Sequence, residues 1–201
     1  VSEKENYLYM AVSDCTGHGV PGAFLTMLGT SFLNEIMTSA EQLSPAKILD
    51  QLREKFIREL GKTGTRDGMD ISLIRFNKGT KEFQWAGALR PLLVMRKGAQ
   101  EMEITRGDKQ SICFVENQNP FTNIEGTLEN GDIVYLFSDG YADQFGGEKR
   151  KKFKMKQLVS LLAGLNNQSM EMQKKVLEST FEKWKGSLEQ IDDVCVFGIK
   201  F

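Results

Sequence analysis

Asp14 stands where two textures meet. The apolar run Tyr7-Leu8-Tyr9-Met10-Ala11-Val12-Ser13 before it reads as a strand, and Ala23-Phe24-Leu25-Thr26-Met27-Leu28 after it reads as the start of a helix. A sheet therefore holds this carboxylate in place. Gly17, Gly19 and Gly22 follow closely and let the main chain approach whatever the carboxylate binds. Two comparable positions lie far downstream: Ile133-Val134-Tyr135-Leu136-Phe137 stops at Ser138-Asp139-Gly140, and Asp192-Asp193 opens the last apolar run. Carboxylates at three strand ends suit a hard divalent cation if the fold gathers them, which spacing alone does not establish. Taken singly, each aspartate is better read as an ordinary cap or turn residue at a strand end.

The elements that must position these residues alternate in character. Apolar residues at Phe24, Leu25, Leu28, Phe32, Ile36 and Met37 predict a first helix, with Pro21 near its start. Ser44-Pro45 reads as N-cap and first residue of a second helix, with a stripe of Ile48, Leu49, Leu52, Phe56, Ile57 and Leu60 and a stop at Gly61. Short strands are expected at 71–76, 83–87, 92–96, 102–105, 111–115 and 133–138, broken by hairpin-like Asn77-Lys78-Gly79, Lys97-Gly98 and Glu129-Asn130-Gly131-Asp132. Helices are expected near 156–165 and 169–185, the second with Leu177, Phe181 and Trp184 on one face. A closing strand over 194–201 must pair inside a sheet. Paired helices around antiparallel strands point to an α+β architecture, and no βαβ alternation supports a doubly wound parallel sheet.

Composition narrows the chemistry. The 201 residues fit one domain that can bury a substantial core. A net charge of −1 gives no general reason to expect nucleic-acid binding. Cys15, Cys113 and Cys195 are odd in number, far apart and lack a C-x-x-C spacing, so they suit a reducing cytosol better than a disulfide framework or zinc knuckle. A single histidine, His18, excludes a multi-histidine zinc centre. No apolar run is long enough for a membrane span, and no direct membrane contact is expected. The chain opens on Val1 and not Met, so it is read as a piece of a longer protein whose regulatory region lies upstream.

Ser13-Asp14-Cys15-Thr16-Gly17-His18-Gly19-Val20-Pro21-Gly22-Ala23, Asp67-Gly68-Met69-Asp70, Trp85-Ala86-Gly87-Ala88, Gly131-Asp132 with Phe137-Ser138-Asp139-Gly140, and Asp192-Asp193-Val194 occur in one order along nearly the whole chain. In that combination the chain resembles the SpoIIE/RsbU-like branch of the metal-dependent, type 2C-like (PPM) serine/threonine protein phosphatases. The resemblance implies an αββα sandwich of two antiparallel sheets flanked by helix pairs. It also implies hydrolysis of phosphoserine or phosphothreonine in a signalling protein, such as a phosphorylated anti-sigma-factor antagonist. Two Mn2+ or Mg2+ ions would activate the attacking water, with a weaker third ion alongside. Asp14 would bridge the two metals, the Cys15 backbone carbonyl would complete one, Asp139 and Asp192 would hold the other, and Asp143 would bind the third.

His18 is a candidate general acid for the leaving alkoxide. It stands four residues after the aspartate where type 2C enzymes have two, which favours a structural role instead. Asp70 is a candidate neighbour of the metals, and Asp193 reads as support for Asp192 or its turn. Lys149-Arg150-Lys151-Lys152-Phe153-Lys154-Met155-Lys156 reads as a solvated loop and helix start, or as a docking lip for an acidic phosphorylated partner. The resemblance also exposes departures. The upstream Gly-Gly-Asp strand motif of relatives is absent, so one ion is expected to bind less well; Ala88 stands where type 2C enzymes have Asp. A phosphatase-like docking module and a small-molecule phosphoesterase remain as rival readings.

Overall fold

The structure is a computed structural model describing residues 1–17, 19–38, 42–61, 67–113 and 118–201. In chain order its elements are β1 (Ser2–Lys4), β2 (Tyr7–Cys15), α1 (Gly19–Thr38), α2 (Pro45–Leu60), β3 (Met69–Asn77), β4 (Glu82–Ala88), β5 (Leu92–Met95), β6 (Glu103–Thr105), β7 (Ile124–Thr127), β8 (Ile133–Phe137), α3 (Gly140–Asp143), β9 (Phe145–Gly146), β10 (Lys151–Lys152), α4 (Met155–Gly164), α5 (Met170–Lys185) and β11 (Val196–Lys200). They form two compact units, Val1–Leu92 with Thr105–Leu128, and Leu93–Ile104 with Glu129–Phe201.

The first unit is an antiparallel sheet in the order β1-β2-β3-β4-β7, with α1 and α2 on one face. The period-two pattern of β2 and β3 sends Tyr9 and Leu73 into the core that Leu25, Phe32, Leu49, Leu52 and Phe56 bring from the helices. Ser44 caps α2 as its sequence requires, its Oγ accepting from the Lys47 N–H at 3.4 Å. Gly61 closes α2 in right-handed conformation (φ −59°), donating to the Ile57 carbonyl, so no left-handed glycine cap is used. Phe24 departs from its predicted role: it is 58% exposed, beside exposed Val20 and Met27. Buried Arg53 was also not foreseen; it donates to Gln110 Oε1, Asp50 Oδ1 and the Asn119 carbonyl and lies over the Phe121 ring. A strand over 111–115 is not formed among the described residues, where Ile112 makes an isolated bridge to Met69.

The second unit is an antiparallel sheet in the order β11-β8-β5-β6. Every residue of β8 is buried, matching its unbroken apolar run. β11 pairs only with β8 and so lies at an edge, not inside the sheet as expected. Leu158, Leu162 and Phe181 of α4 and α5 pack with Leu93, Met95, Ile133 and Tyr135. The expected meander is thus shared between the two sheets. Their antiparallel strands and paired helices agree with the α+β class.

Asp132 pins the turn before β8. Burial alone would raise its carboxyl, but hydrogen bonds from the Glu129 and Lys97 N–H groups and from the Arg96 guanidinium outweigh that and hold it below the ordinary 3.8. A depressed folded-state pKa stabilises the fold above the unfolded value, and that stability is lost as pH falls through the folded value. Urea denaturation at stepped pH should therefore show stability declining below about pH 4. Asp132→Asn should cost about 1.5–3 kcal/mol at neutral pH and flatten this acid limb.

Candidate metal centre

In the first unit, Asp14, the penultimate residue of β2, lies directly opposite Asp70 of β3. The guanidinium of Arg90 spans the pair, its Nη2 lying 3.2 Å from Asp14 Oδ2 and 3.1 Å from Asp70 Oδ2. Ser111 Oγ donates to Asp70 Oδ1 at 2.7 Å. The glycine-rich turn is tied to the Asp67-Gly68-Met69-Asp70 segment: the Thr16 N–H donates to the Gly68 carbonyl at 3.0 Å, and the Gly68 N–H donates to Thr16 Oγ1 at 2.9 Å. Gly17 and Gly19 take φ of +84° and +65°, backbone that residues with a Cβ adopt at a cost, and α1 starts at once. Two motifs far apart in sequence thus form one structural corner. Asp67 is exposed in it.

Burial pushes the Cys15 thiol up; the charges of Asp14 and Asp70 add to this, and a hydrogen bond with Thr26 opposes it. In the metal-free protein this disfavours the thiolate form.

In the second unit, Asp139 follows β8 and sits at the N-terminus of α3, while Asp192 lies in the segment leading to β11. The structure brings one carboxylate oxygen of each within 4.8 Å of the other. Ser138 is the fastener. Its Oγ donates to the Asp193 carbonyl at 2.9 Å and accepts from the Cys195 N–H at 3.0 Å, while the Ser138 N–H donates to the Cys195 carbonyl at 3.0 Å. The Asp193 N–H in turn donates to Asp192 Oδ1 at 2.8 Å, so the main chain of Asp193 orients its neighbour.

Asp143 occupies α3, and its carboxylate accepts from the Lys152 ammonium at 2.8 Å. That lysine belongs to a two-stranded ribbon, β9 with β10, and not to a simple loop before a helix. The ribbon is anchored by Trp184, whose Nε1–H donates to the Gln144 carbonyl at 3.0 Å and whose carbonyl accepts from the Gly147 N–H at 2.9 Å. His18 lies outside the described residues. Arg90, Ser111 and Ser138 were not singled out from the sequence. Ser138 was within reach, since it adjoins Asp139 inside a quoted motif; Arg90, two residues past Trp85-Ala86-Gly87-Ala88, carried no signal of its contacts.

The donor set fits hard divalent ions: carboxylate oxygens on short, hydrogen-bonded segments.

A family model described as stage II sporulation protein E (SpoIIE) matches residues 4–201. Among solved structures, the SiaA-PP2C domain of Pseudomonas aeruginosa is 27% identical with a TM-score of 0.87, the match covering 97% of this chain and 79% of that one. The PP2C phosphatase domain of SpoIIE from Bacillus subtilis, with a fragment of its regulatory domain, is 15% identical with a TM-score of 0.78 over 99% of this chain and 56% of that one. RsbX in complex with magnesium is 14% identical with a TM-score of 0.68 over 98% of this chain and 82% of that one. These last two are similar in fold. No curated protein matches the sequence.

Proposed function

From the premise that this chain belongs to the SpoIIE family of PP2C-type, metal-dependent phosphatases, we propose that Asp14, Asp139 and Asp192 together hold the catalytic metal ions. The observation that carries the proposal is the close approach of the Asp139 and Asp192 carboxylates, fastened by Ser138, in a chain that the family matches over residues 4–201. Asp139 and Asp192 would hold one ion, and Asp14 with the Cys15 backbone carbonyl would hold another. Mn2+ or Mg2+ at these oxygens supplies a lowered pKa for water near neutral pH and positive charge opposite the phosphoryl oxygens.

The chain's own contribution is positional. Sheet register fixes Asp14, and the Ser138 hydroxyl fixes the segment bearing Asp192 relative to Asp139. Asp143 is assigned to its ion pair with Lys152, with third-ion binding requiring that pair to open.

The substrate class we infer is phosphoserine or phosphothreonine in a small signalling protein of the anti-sigma-factor-antagonist type. Support comes from family membership and from the basic ribbon, where Lys149, Arg150, Lys151 and Lys152 are exposed and suit an acidic phosphorylated partner. With Mn2+ present, the full-length protein is expected to release phosphate from a phosphoserine peptide and from an aryl phosphate. Turnover of the aryl phosphate alone would favour a small-molecule phosphoesterase. Binding of a phosphoprotein without turnover of either substrate would leave a docking module.

A further inference from the structure

Arg90 lies outside the proposed ligand set, yet it makes the closest cationic contact to Asp14 among the distances above. Its side chain is 14% exposed, and its two carboxylate partners are 17% and 22% exposed. The backbone that presents it is tightly fixed. Leu89 before it takes φ +60°, a left-handed conformation uncommon for leucine. The Leu89 N–H donates to the Asp108 carbonyl at 2.9 Å, and the Arg90 N–H donates to the Ala88 carbonyl at 2.7 Å. Asp108 is itself held, its carboxylate accepting from the Thr122 N–H and Oγ1 at 2.7 and 3.0 Å. A strained residue is thus kept in place where the chain leaves β4, and the result is a guanidinium aimed at the metal-binding corner.

Charge decides what that guanidinium does next. With no cation bound, Asp14 and Asp70 bring two negative charges side by side, and Arg90 offsets one of them. A divalent ion taken up at Asp14 reverses the local sign and sets like charge against the guanidinium. Arginine cannot relieve this by losing its proton. An incoming anion can, and the planar fork of N–H donors matches phosphoryl oxygens.

We propose that Arg90 is a phosphoryl-binding residue: the pair of carboxylates Asp14 and Asp70 holds it in the metal-free state, and metal binding turns it toward a phosphoryl dianion. The proposal rests on the metal-dependent phosphatase reading and deepens it. The contacts of Arg90 are read from within the first unit alone.

The test uses full-length protein, Mn2+ and inorganic phosphate in calorimetric titrations, with Arg90→Met and Arg90→Lys as variants. Arg90→Met should weaken phosphate binding to the Mn2+-loaded protein about tenfold or more, with Mn2+ affinity in phosphate-free buffer unchanged or tighter. Arg90→Lys should recover part of the loss, since it keeps the charge without the fork. If Arg90→Met does not fold, Arg90→Lys with unchanged melting temperature and weakened phosphate binding carries the test. Unchanged phosphate affinity in the folded variants, or a loss matched by an equal loss of Mn2+ affinity, would overturn the proposal and leave Arg90 as an interstrand ion pair. Absence of phosphate binding to the wild-type protein would overturn it too. Because phosphate binding needs no turnover, a failure of the phosphatase reading itself appears separately, as no hydrolysis by a wild-type protein that still binds phosphate.

Discussion

Asp139→Asn, and independently Asp14→Asn, should lower Mn2+-dependent hydrolysis by about a thousandfold or more, equivalent to about 4 kcal/mol of barrier. The amide has nearly the volume of the carboxylate, so packing around the ends of β8 and β2 survives. What disappears is the anionic oxygen. A neutral amide oxygen is a much weaker ligand for Mn2+ or Mg2+, and the loss falls on metal binding and on charge stabilisation together. Asp139→Asn should leave Asp192 without the second carboxylate that lies within 4.8 Å of it. Asp14→Asn should also weaken the hold on Arg90 in the metal-free protein, whose Nη2 lies 3.2 Å from Asp14 Oδ2. Initial rates across a Mn2+ titration, with circular dichroism to confirm folding, read both effects. Activity within tenfold of wild type for either variant would remove that residue from the mechanism.

Gly140→Ala should be nearly as damaging, by a different route. Gly140 is the first residue of α3, immediately after Asp139. A methyl group there would overlap the Asp193 carbonyl oxygen, with the carbonyl carbon 2.9 Å away and Val194 Cγ2 at 3.3 Å. The two nearest are backbone atoms of Asp193, whose carbonyl Ser138 already holds, so moving a side chain cannot relieve the overlap. The segment carrying Asp192 must move away from Asp139. A stability loss of about 1–3 kcal/mol is expected, as for overpacking in a well-packed site, with at least tenfold weaker Mn2+ binding. Gly79→Ala is the matched control, because its methyl would meet only Asn77 Oδ1, at 3.4 Å. Denaturation midpoints and Mn2+ calorimetry on both variants would decide it; equal behaviour would show that the close approach at Gly140 has no functional weight.

Much of the first unit was legible because one-sided burial imposes a period. The apolar stripe of α2 and the Ser44-Pro45 start led to the observed helix, and a short apolar-rich run ending at the turn signal Asn77-Lys78-Gly79 led to β3. Phe24 misled for the same reason: it lies on the apolar spacing of α1, but nothing in that spacing says where the covered face stops. The short strands β1, β7, β9 and β10 carry too few residues for any period to show. β1 and β7 form against the longer β2 and β4, while β9 and β10 pair with each other. Of the strand expected over 111–115, residues 114–115 lie outside the described residues, and the described part makes an isolated bridge through Ile112 to Met69.

The site divides along similar lines. Asp14, Asp139 and Asp192 could be singled out as candidates because each closes or opens an apolar run, and the proximity of Asp139 to Asp192 follows from β8 pairing with β11. The contacts that orient them were not legible. Ser138, Ser111 and Arg90 act through hydrogen bonds between segments 41 to 76 residues apart, and residue type alone does not record such partners.

The most direct test of the central claim is a crystal structure of the full-length protein grown with Mn2+, with anomalous scattering used to place the ions. The account predicts Mn2+ coordinated by the carboxylates of Asp14, Asp139 and Asp192. Manganese bound elsewhere, or bound with any of these three carboxylates outside its coordination, would contradict it.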